Sequence, residues 1–569
     1  MKRLFAVPVF LMIGSQLLSQ FFPAKNYPKN YFRNPLGIPI KLAANFGELR
    51  ANHYHMGLDI RTEKRVNLPV YAAADGYIAR IKIEPWGFGQ AIYINHPNGY
   101  TTLYAHLNSF FPALAEYVKQ QQYKMESWQV FLDIPPGKFS VRKGDLIALS
   151  GSTGGSEGPH LHFEIRRTAD DVNLNPLLFG LPVPDNTPPV IQRLALYDRS
   201  KSVYEQSPKI FPARKAGAGY SIGTPLISSP SAYIGFAIGG FDTQSGSTNP
   251  NGIYEATLYD NAKPVAGFQM DNISYEDTRN INAHIDYKTR ANGGPYLQQL
   301  FKLPGYTHSI YKNESGDGSI DISDGSIHRI RIEVKDAYGN RSELNCKIQY
   351  SQNDSGTLSY PGKLFYPGMW DGYETDDCEF YLGEKSLYDS VHVQYTRVNS
   401  AASDVVSAVH NIGFAYIPLQ DSLLVRIKLT AALSESQKDK VVMQRFAGDK
   451  TEIRKPQWLG DWASASFRDF GNFQLVLDEE APVIVPVGFK DGAILNNASR
   501  IEFVIKDNLD EYKNFRAELD GKWLMFTNDK GRAFIYKMDE HCPPGAHELK
   551  VSVEDIAGNK TEQIFKFTR

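Results

Sequence analysis

At 569 residues the chain is too long for a single hydrophobic core and implies several domains. Its 61 basic and 63 acidic residues leave a formal net charge of -2, which removes the electrostatic case for binding nucleic acid or a polybasic approach to a membrane surface. The 32 Tyr and 32 Phe favour β-rich folded modules over disorder.

Lys2 and Arg3 precede an apolar run from Leu4 to Ile13, followed by Gly14-Ser15-Gln16-Leu17-Leu18-Ser19. That run is too short for a bilayer span and contains Pro8, so residues 1–19 read as a secretory signal peptide and the mature chain is expected to be exported to the periplasm, cell envelope or medium. No later stretch is apolar enough to predict a transmembrane segment. Residues 20–36, rich in Pro, Asn and aromatics, lead into the first domain. From Gly37 onward, short strands alternate with Gly, Pro and Asn punctuation: Val70 to Ala74, Gly76 to Ile83, Gln90 to Asn95, Tyr100 to Ala105 and Leu146 to Ser150. Pro97-Asn98-Gly99 predicts a hairpin turn between two of these. Pro112 to Tyr123 has the pattern of a helix with Pro in its first turn.

The most informative stretch is Gly158-Pro159-His160-Leu161-His162-Phe163-Glu164-Ile165. Leu161, Phe163 and Ile165 alternate with His160, His162 and Glu164, the signature of a strand with one apolar and one polar face. Such a strand aims two imidazoles the same way, as ligation of one metal ion requires. Upstream lie His55-x-x-x-Asp59, with Gly57 between, and Tyr104-Ala105-His106-Leu107. A Gly/Ser loop over Ser150 to Glu157 can bring backbone close to a site.

The ordered combination of H-x-G-x-D, Y-A-H-L and G-P-H-L-H-F-E resembles the lysostaphin-type (LytM-domain) zinc metallopeptidases, which cleave peptidoglycan peptides. The resemblance covers residues 37–180. It implies a mainly β fold, a compact antiparallel barrel-sandwich in which the zinc sits in a groove on one sheet. It also implies that His55, Asp59 and His162 are the Zn²⁺ ligands, and that His106 and His160 hold and polarise the attacking water or stabilise the oxyanion. Two neutral imidazoles and one carboxylate leave Zn²⁺ with residual positive charge, which suits that chemistry. Met56 stands where the family often has serine, at a position that is not a ligand. His53 is expected to be a groove residue or a bystander, His96 structural, and Glu164 either an orienting or a surface residue. The stretch 108–140 is longer than the family core needs; it is either a wall of the groove or a packed surface excursion.

A Pro-rich boundary, Leu181 to Pro189, closes this domain. A bracket then recurs. Pro188-Pro189-Val190-Ile191 opens a segment that ends near Asp336-Ala337-Tyr338-Gly339-Asn340, and Ala481-Pro482-Val483-Ile484 opens another that ends near Asp555-Ile556-Ala557-Gly558-Asn559. The bracket resembles bacterial immunoglobulin-like or fibronectin-like β-sandwiches. The expected organisation is therefore a LytM-type domain over 37–180, a β-sandwich with an insertion over 186–350, a further β-sandwich-like region over 352–477, and an immunoglobulin-like module over 480–569. The expected function is an exported zinc metalloendopeptidase acting on peptidoglycan peptides. Two alternatives stay open: a catalytically silent LytM-like module that binds or activates another wall hydrolase, and an adhesin dominated by its sandwiches. The C-terminal modules are candidates to bind wall polymer or a protein partner, or to serve as spacers. Cys346, Cys378 and Cys542 allow at most one internal disulfide and read better as isolated packed thiols.

Overall fold

The computed structural model describes residues 21–307, 310–352, 359–531 and 533–569. The signal-peptide expectation for residues 1–19 lies outside them. The fold is mainly β, and among the described residues no helix is long and apolar enough to cross a membrane.

The N-terminal domain is built on an antiparallel sheet. Its strands run in the order Leu42–Ala44, Leu58–Arg61, His160–Arg167, Tyr100–Ala105, Gln90–Asn95, Gly76–Ile83 and Val130–Asp133. His160–Arg167 is the central strand. Leu161, Phe163 and Ile165 are fully buried beneath it, together with Leu58, Ile60 and Tyr104 of the strands on either side. Burying aliphatic and aromatic side chains of this size contributes roughly 1.5–3 kcal/mol each, which fixes the register: a slip of one residue would drive the histidines into the core and these side chains out. The expected hairpin joins Gln90–Asn95 to Tyr100–Ala105, with Gly99 at φ 82°.

The helix expected from Pro112 runs over Pro112–Met125 and buries Leu114, Val118 and Gln122. Its outer face meets the last module of the chain. Tyr123 stacks on His541 with ring centroids 3.8 Å apart, Lys119 pairs with Asp539 and Glu540, and Glu126 pairs with Arg516. The long insertion is thus a docking platform for the C-terminal module.

After the Pro-rich boundary a 12-stranded sheet system includes Val190–Asp198, Tyr233–Phe241, His328–Lys335 and Arg341–Tyr350. Two five-stranded sheets follow, then a three-stranded and a five-stranded sheet that enclose their own core around Phe503, Leu549, Val551 and Phe567. The bracketing residues sit as the pattern requires: a strand starts after each Pro, and Asp336 to Asn340 turns the chain between His328–Lys335 and Arg341–Tyr350. One continuous apolar cluster runs through the second and third regions and takes in Phe46, Tyr54 and Met56 of the first. Pairing of Asn173–Leu174 with Asn272–Ile273 carries the N-terminal sheet into the next module. Cys346, Cys378 and Cys542 are free thiols.

Candidate metal centre

Register alone brings the first two groups of the site together. Asp59 lies directly opposite His162 across the antiparallel pair, so both side chains leave the same face of the sheet. Gly57, two residues earlier, is required by this closeness. A Cβ there would stand 2.5 Å from the Phe163 carbonyl oxygen and 2.9 Å from Glu164 Cγ. His55 reaches the same point from a short hairpin, Leu49–Arg50 paired with His53–Tyr54, whose tip holds Asn52 at φ 62°.

His55 Nε2 stands 3.0 Å from Asp59 Oδ1 and 3.0 Å from His162 Nδ1, and the last two atoms are 2.9 Å apart. All three residues are buried. Their second hydrogen bonds fix the tautomers. His55 Nδ1 lies 2.7 Å from the Asn45 carbonyl, which only accepts, so that nitrogen carries the proton. His162 Nε2 lies 2.9 Å from a Glu164 carboxylate oxygen, so it carries the proton there. When neutral, the rings turn two bare lone pairs and a carboxylate oxygen towards one point, an arrangement that repels itself unless a proton or a cation fills it. A triangle with these edges leaves a point about 2 Å from each corner, the ordinary zinc–nitrogen and zinc–oxygen distance. The donor set, two imidazoles and a carboxylate, is one zinc prefers.

The electrostatics agree. Burial alone would depress His162, but hydrogen bonds to Asp59 and Glu164 outweigh it and lift the imidazole to about 9. Burial opposes ionisation of Asp59 too, yet the surrounding histidines hold it well below the usual carboxylate range. The pocket wants positive charge, and a metal binding there would displace a proton.

Behind the triangle stands a shell that sequence reasoning found only in part. Glu164 is fully buried, so it orients His162 and is not a surface residue. Its Oε1 also accepts from Tyr275 Oη at 2.6 Å, and its Oε2 accepts from Arg166 Nε at 2.7 Å and Asn173 Nδ2 at 2.7 Å. Arg166 in turn lies over the rings of Tyr275, Tyr93 and Phe88. Burial would push Glu164 up, but Arg166, His162 and Tyr275 bring it down to about 2. Arg50 Nη2 holds the second oxygen of Asp59 at 2.7 Å. Tyr275 belongs to the second module and carries no motif, so no signal in the sequence pointed to it.

His106 and His160 flank the triangle, their ring centroids 4.7 Å apart and that of His106 5.9 Å from that of His162. His106 follows the strand Tyr100–Ala105 in a left-handed conformation, φ 59°, unusual for a residue with a side chain. Its Nδ1 donates to the Thr153 carbonyl at 2.8 Å, and burial with His160 and His162 nearby lowers it to about 3. His160 Nδ1 donates to the Gly158 carbonyl at 2.8 Å, and its Nε2 stands 3.4 Å from Asp59 Oδ1. Among the described residues Nε2 of His106 has no hydrogen-bond partner, whereas that of His160 faces the Asp59 carboxylate. His53 is exposed, and among the described residues its ring bonds only to its own turn at Ala51, a bystander. His96 is buried between the Asp75 carbonyl and Thr102 Oγ1, a structural role. The C-terminal module reaches the rim: Asp529 accepts from Gly154 N at 2.8 Å, and Lys530 Nζ donates to the Ser156 carbonyl.

Comparison with known proteins supplies the rest. Residues 53–123 and 134–176 match the family described as peptidase family M23, and residues 366–478 match a Zu5-like domain. Over 133 residues the chain is 37% identical to the DD-carboxypeptidase/endopeptidase Mpg of Neisseria meningitidis, covering 23% of this chain and 24% of that protein. Over 111 residues it is 32% identical to the peptidoglycan DD-endopeptidase ShyB of Vibrio cholerae, covering 20% of each. The chain thus spans about a quarter or less of the length of these relatives. Among solved structures, the catalytic domain of the antimicrobial peptidase lysostaphin from Staphylococcus simulans aligns at 23% identity and a TM-score of 0.19, over 25% of this chain and 91% of that one.

Proposed function

We propose that the chain, whose residues 53–123 and 134–176 match peptidase family M23, is an exported zinc metalloendopeptidase of the LytM form that hydrolyses peptide bonds in peptidoglycan stem peptides or cross-links. The observation that carries this reading is the convergence of His55 Nε2, His162 Nδ1 and Asp59 Oδ1 within 3.0 Å of one another. In this reading these three residues hold Zn²⁺, which supplies a Lewis acid for the scissile carbonyl and a water of lowered pKa. His106, held neutral, accepts a hydrogen bond at Nε2 and orients the attacking water. His160 takes a proton at Nε2 and returns it to the leaving amine nitrogen. Glu164 keeps His162 in the tautomer that offers Nδ1. The reading keeps the domain bounds 37–180, 186–350, 352–477 and 480–569, and an envelope location for the mature chain. It leaves the modules after residue 185 to position the first domain on wall polymer or a partner. A silent binding module is the weaker reading, because all five site residues are present and cluster together.

Zinc analysis of the purified chain tests the ligands. About one Zn²⁺ per chain is expected, falling strongly in His162→Ala. Full zinc content in that variant would remove the ligand assignment.

A further inference from the structure

The repeated bracket of the sequence, Pro-x-Ile to Asp-x-x-Gly-Asn, has a consequence at the seam between the N-terminal domain and the second module. Asp185 of the Pro-rich linker, Asp242 just after the strand Tyr233–Phe241, and Asp336 just after the strand His328–Lys335 each offer an oxygen, and the three lie within 4.8 Å of one another. They line a small enclosed cavity, about the size of one ion or water, whose walls also include Leu42 and Asn45 of the N-terminal domain. Asp242 and Asp336 are 6% and 3% exposed. Among the described residues no Lys, Arg or His pairs with any of the three.

Two of the carboxylates have work within the fold. Asp336 caps its own turn, accepting from Tyr338 N and Asn340 N at 2.9 Å each and from Asn340 Nδ2 at 2.6 Å. Asp185 accepts from Thr187 N at 3.0 Å and from Ser245 N and Oγ at 3.2 Å each. Asp242 is different: its Oδ1 is buried with no hydrogen-bond partner among the described residues. An ionised oxygen left this way costs several kcal/mol unless it is paired or coordinated.

We propose that Asp185, Asp242 and Asp336 form a binding site for a divalent cation, Ca²⁺ by its chemistry, which braces the seam between the N-terminal domain and the second module. The all-oxygen set, without imidazole or thiolate, selects a hard cation and separates this site from the zinc centre. Burial, with Asp336 and Asp185 close by, pushes Asp242 up to about 7, as a site lacking its counter-ion should. The second bracket repeats the device. Asp555 is capped by Asn559, Asn559 Nδ2 donates to the Asp478 carbonyl at 2.9 Å as Asn340 Nδ2 does to the Asp185 carbonyl at 3.3 Å, and oxygens of Asp478 and Asp507 are again buried without partners among the described residues. Those carboxylates do not converge as closely, and the proposal is confined to the first seam.

The site has a physical route to the metal centre. The chain between Asp242 and Tyr254 holds Asn45 through paired hydrogen bonds with Gly252 of 2.9 and 2.8 Å, and the Asn45 carbonyl fixes the His55 tautomer. Asp242 and Asn251 also pair through their backbones.

The test uses the full chain, stripped of divalent ions and reloaded with Zn²⁺, titrated with CaCl₂ by calorimetry and by thermal unfolding. The wild type is expected to bind Ca²⁺ and to unfold at higher temperature with it. Asp242→Asn, which keeps shape and removes one charge, is expected to lose one equivalent of Ca²⁺ or to weaken it at least 10-fold. Without Ca²⁺ it should be as stable as the wild type or more so. Asp185→Asn, at a half-buried position, gives the same readout should Asp242→Asn fold poorly. No Ca²⁺ binding by the wild type up to millimolar concentration, or unchanged binding in the variant, overturns the proposal.

Discussion

Glu164→Gln probes the least visible part of the metal centre. The Glu164 carboxylate is fully buried and collects donors from His162, Tyr275, Arg166 and Asn173. A glutamine has one acceptor oxygen and an NH₂ group, so one pair of these donors must face another donor. The buried Arg166 would keep only Asp171, at 2.9 Å and half exposed, as a carboxylate partner. Breaking a buried pair on one side costs about 3–5 kcal/mol, and we expect the lower end because Asp171 remains. His162 also loses the acceptor that fixes its tautomer, and loss of such an outer partner weakens metal affinity about 10- to 100-fold. Competition of the purified variant with a chromophoric chelator measures that factor directly. Tyr275→Phe, which removes one donor and no charge, should weaken zinc by less than Glu164→Gln. Wild-type zinc affinity in Glu164→Gln would refute the role of the Glu164 carboxylate in setting the His162 tautomer.

Other consequences follow from the same geometry. His106→Ala and His160→Ala should keep most of their zinc and lose hydrolysis by roughly 10²- to 10⁴-fold; measuring zinc and turnover in the same preparations checks this, and loss of zinc equal to that of His162→Ala would make the residue a ligand. Gly57→Ala forces a methyl against the Phe163 carbonyl and should cost about 1–3 kcal/mol by overpacking, with zinc affinity falling alongside; an unchanged melting profile would contradict it. Burial lowers His96 from 6.5 to about 4, so its charged form is disfavoured in the folded state. The stability it contributes is complete above about pH 6.5 and is lost as pH falls towards 4, on the order of 3 kcal/mol in total. Denaturation at pH 7 and pH 5 should show a smaller difference in His96→Gln than in the wild type.

Much of this was legible in the chain itself. The alternation of the central strand placed His160, His162 and Glu164 on one face, and the ordered motifs picked out His55, Asp59 and His106; that Asp59 pairs with His162 and that Gly57 is needed for the close approach of the strands appears only in the fold. The family match agrees with the resemblance those motifs carry. What lay hidden comes from contacts between distant segments. Tyr275 reaches Glu164 across the domain seam, and Arg50 reaches Asp59 from a two-residue hairpin with no motif. The insertion after His106 read equally well as a groove wall or a surface excursion because its partner, the module around His541, lies more than 400 residues away in sequence. Periodicity showed that Glu164 shares a face with His162, but the depth of its burial depends on the second module covering that face. The bracket Asp-x-x-Gly-Asn announced a turn, while the convergence of Asp336 with Asp185 and Asp242 appears only once the linker is folded.

The central claim is zinc-dependent cleavage of a wall peptide, and mass spectrometry of purified cross-linked peptidoglycan fragments tests it most directly. Fragments incubated with the full chain should yield products whose masses sum to the parent plus one water. A chelator should abolish them, and added Zn²⁺ should restore them. Zinc-loaded protein that binds these fragments and leaves every peptide bond intact would contradict the account and establish the silent binding module in its place.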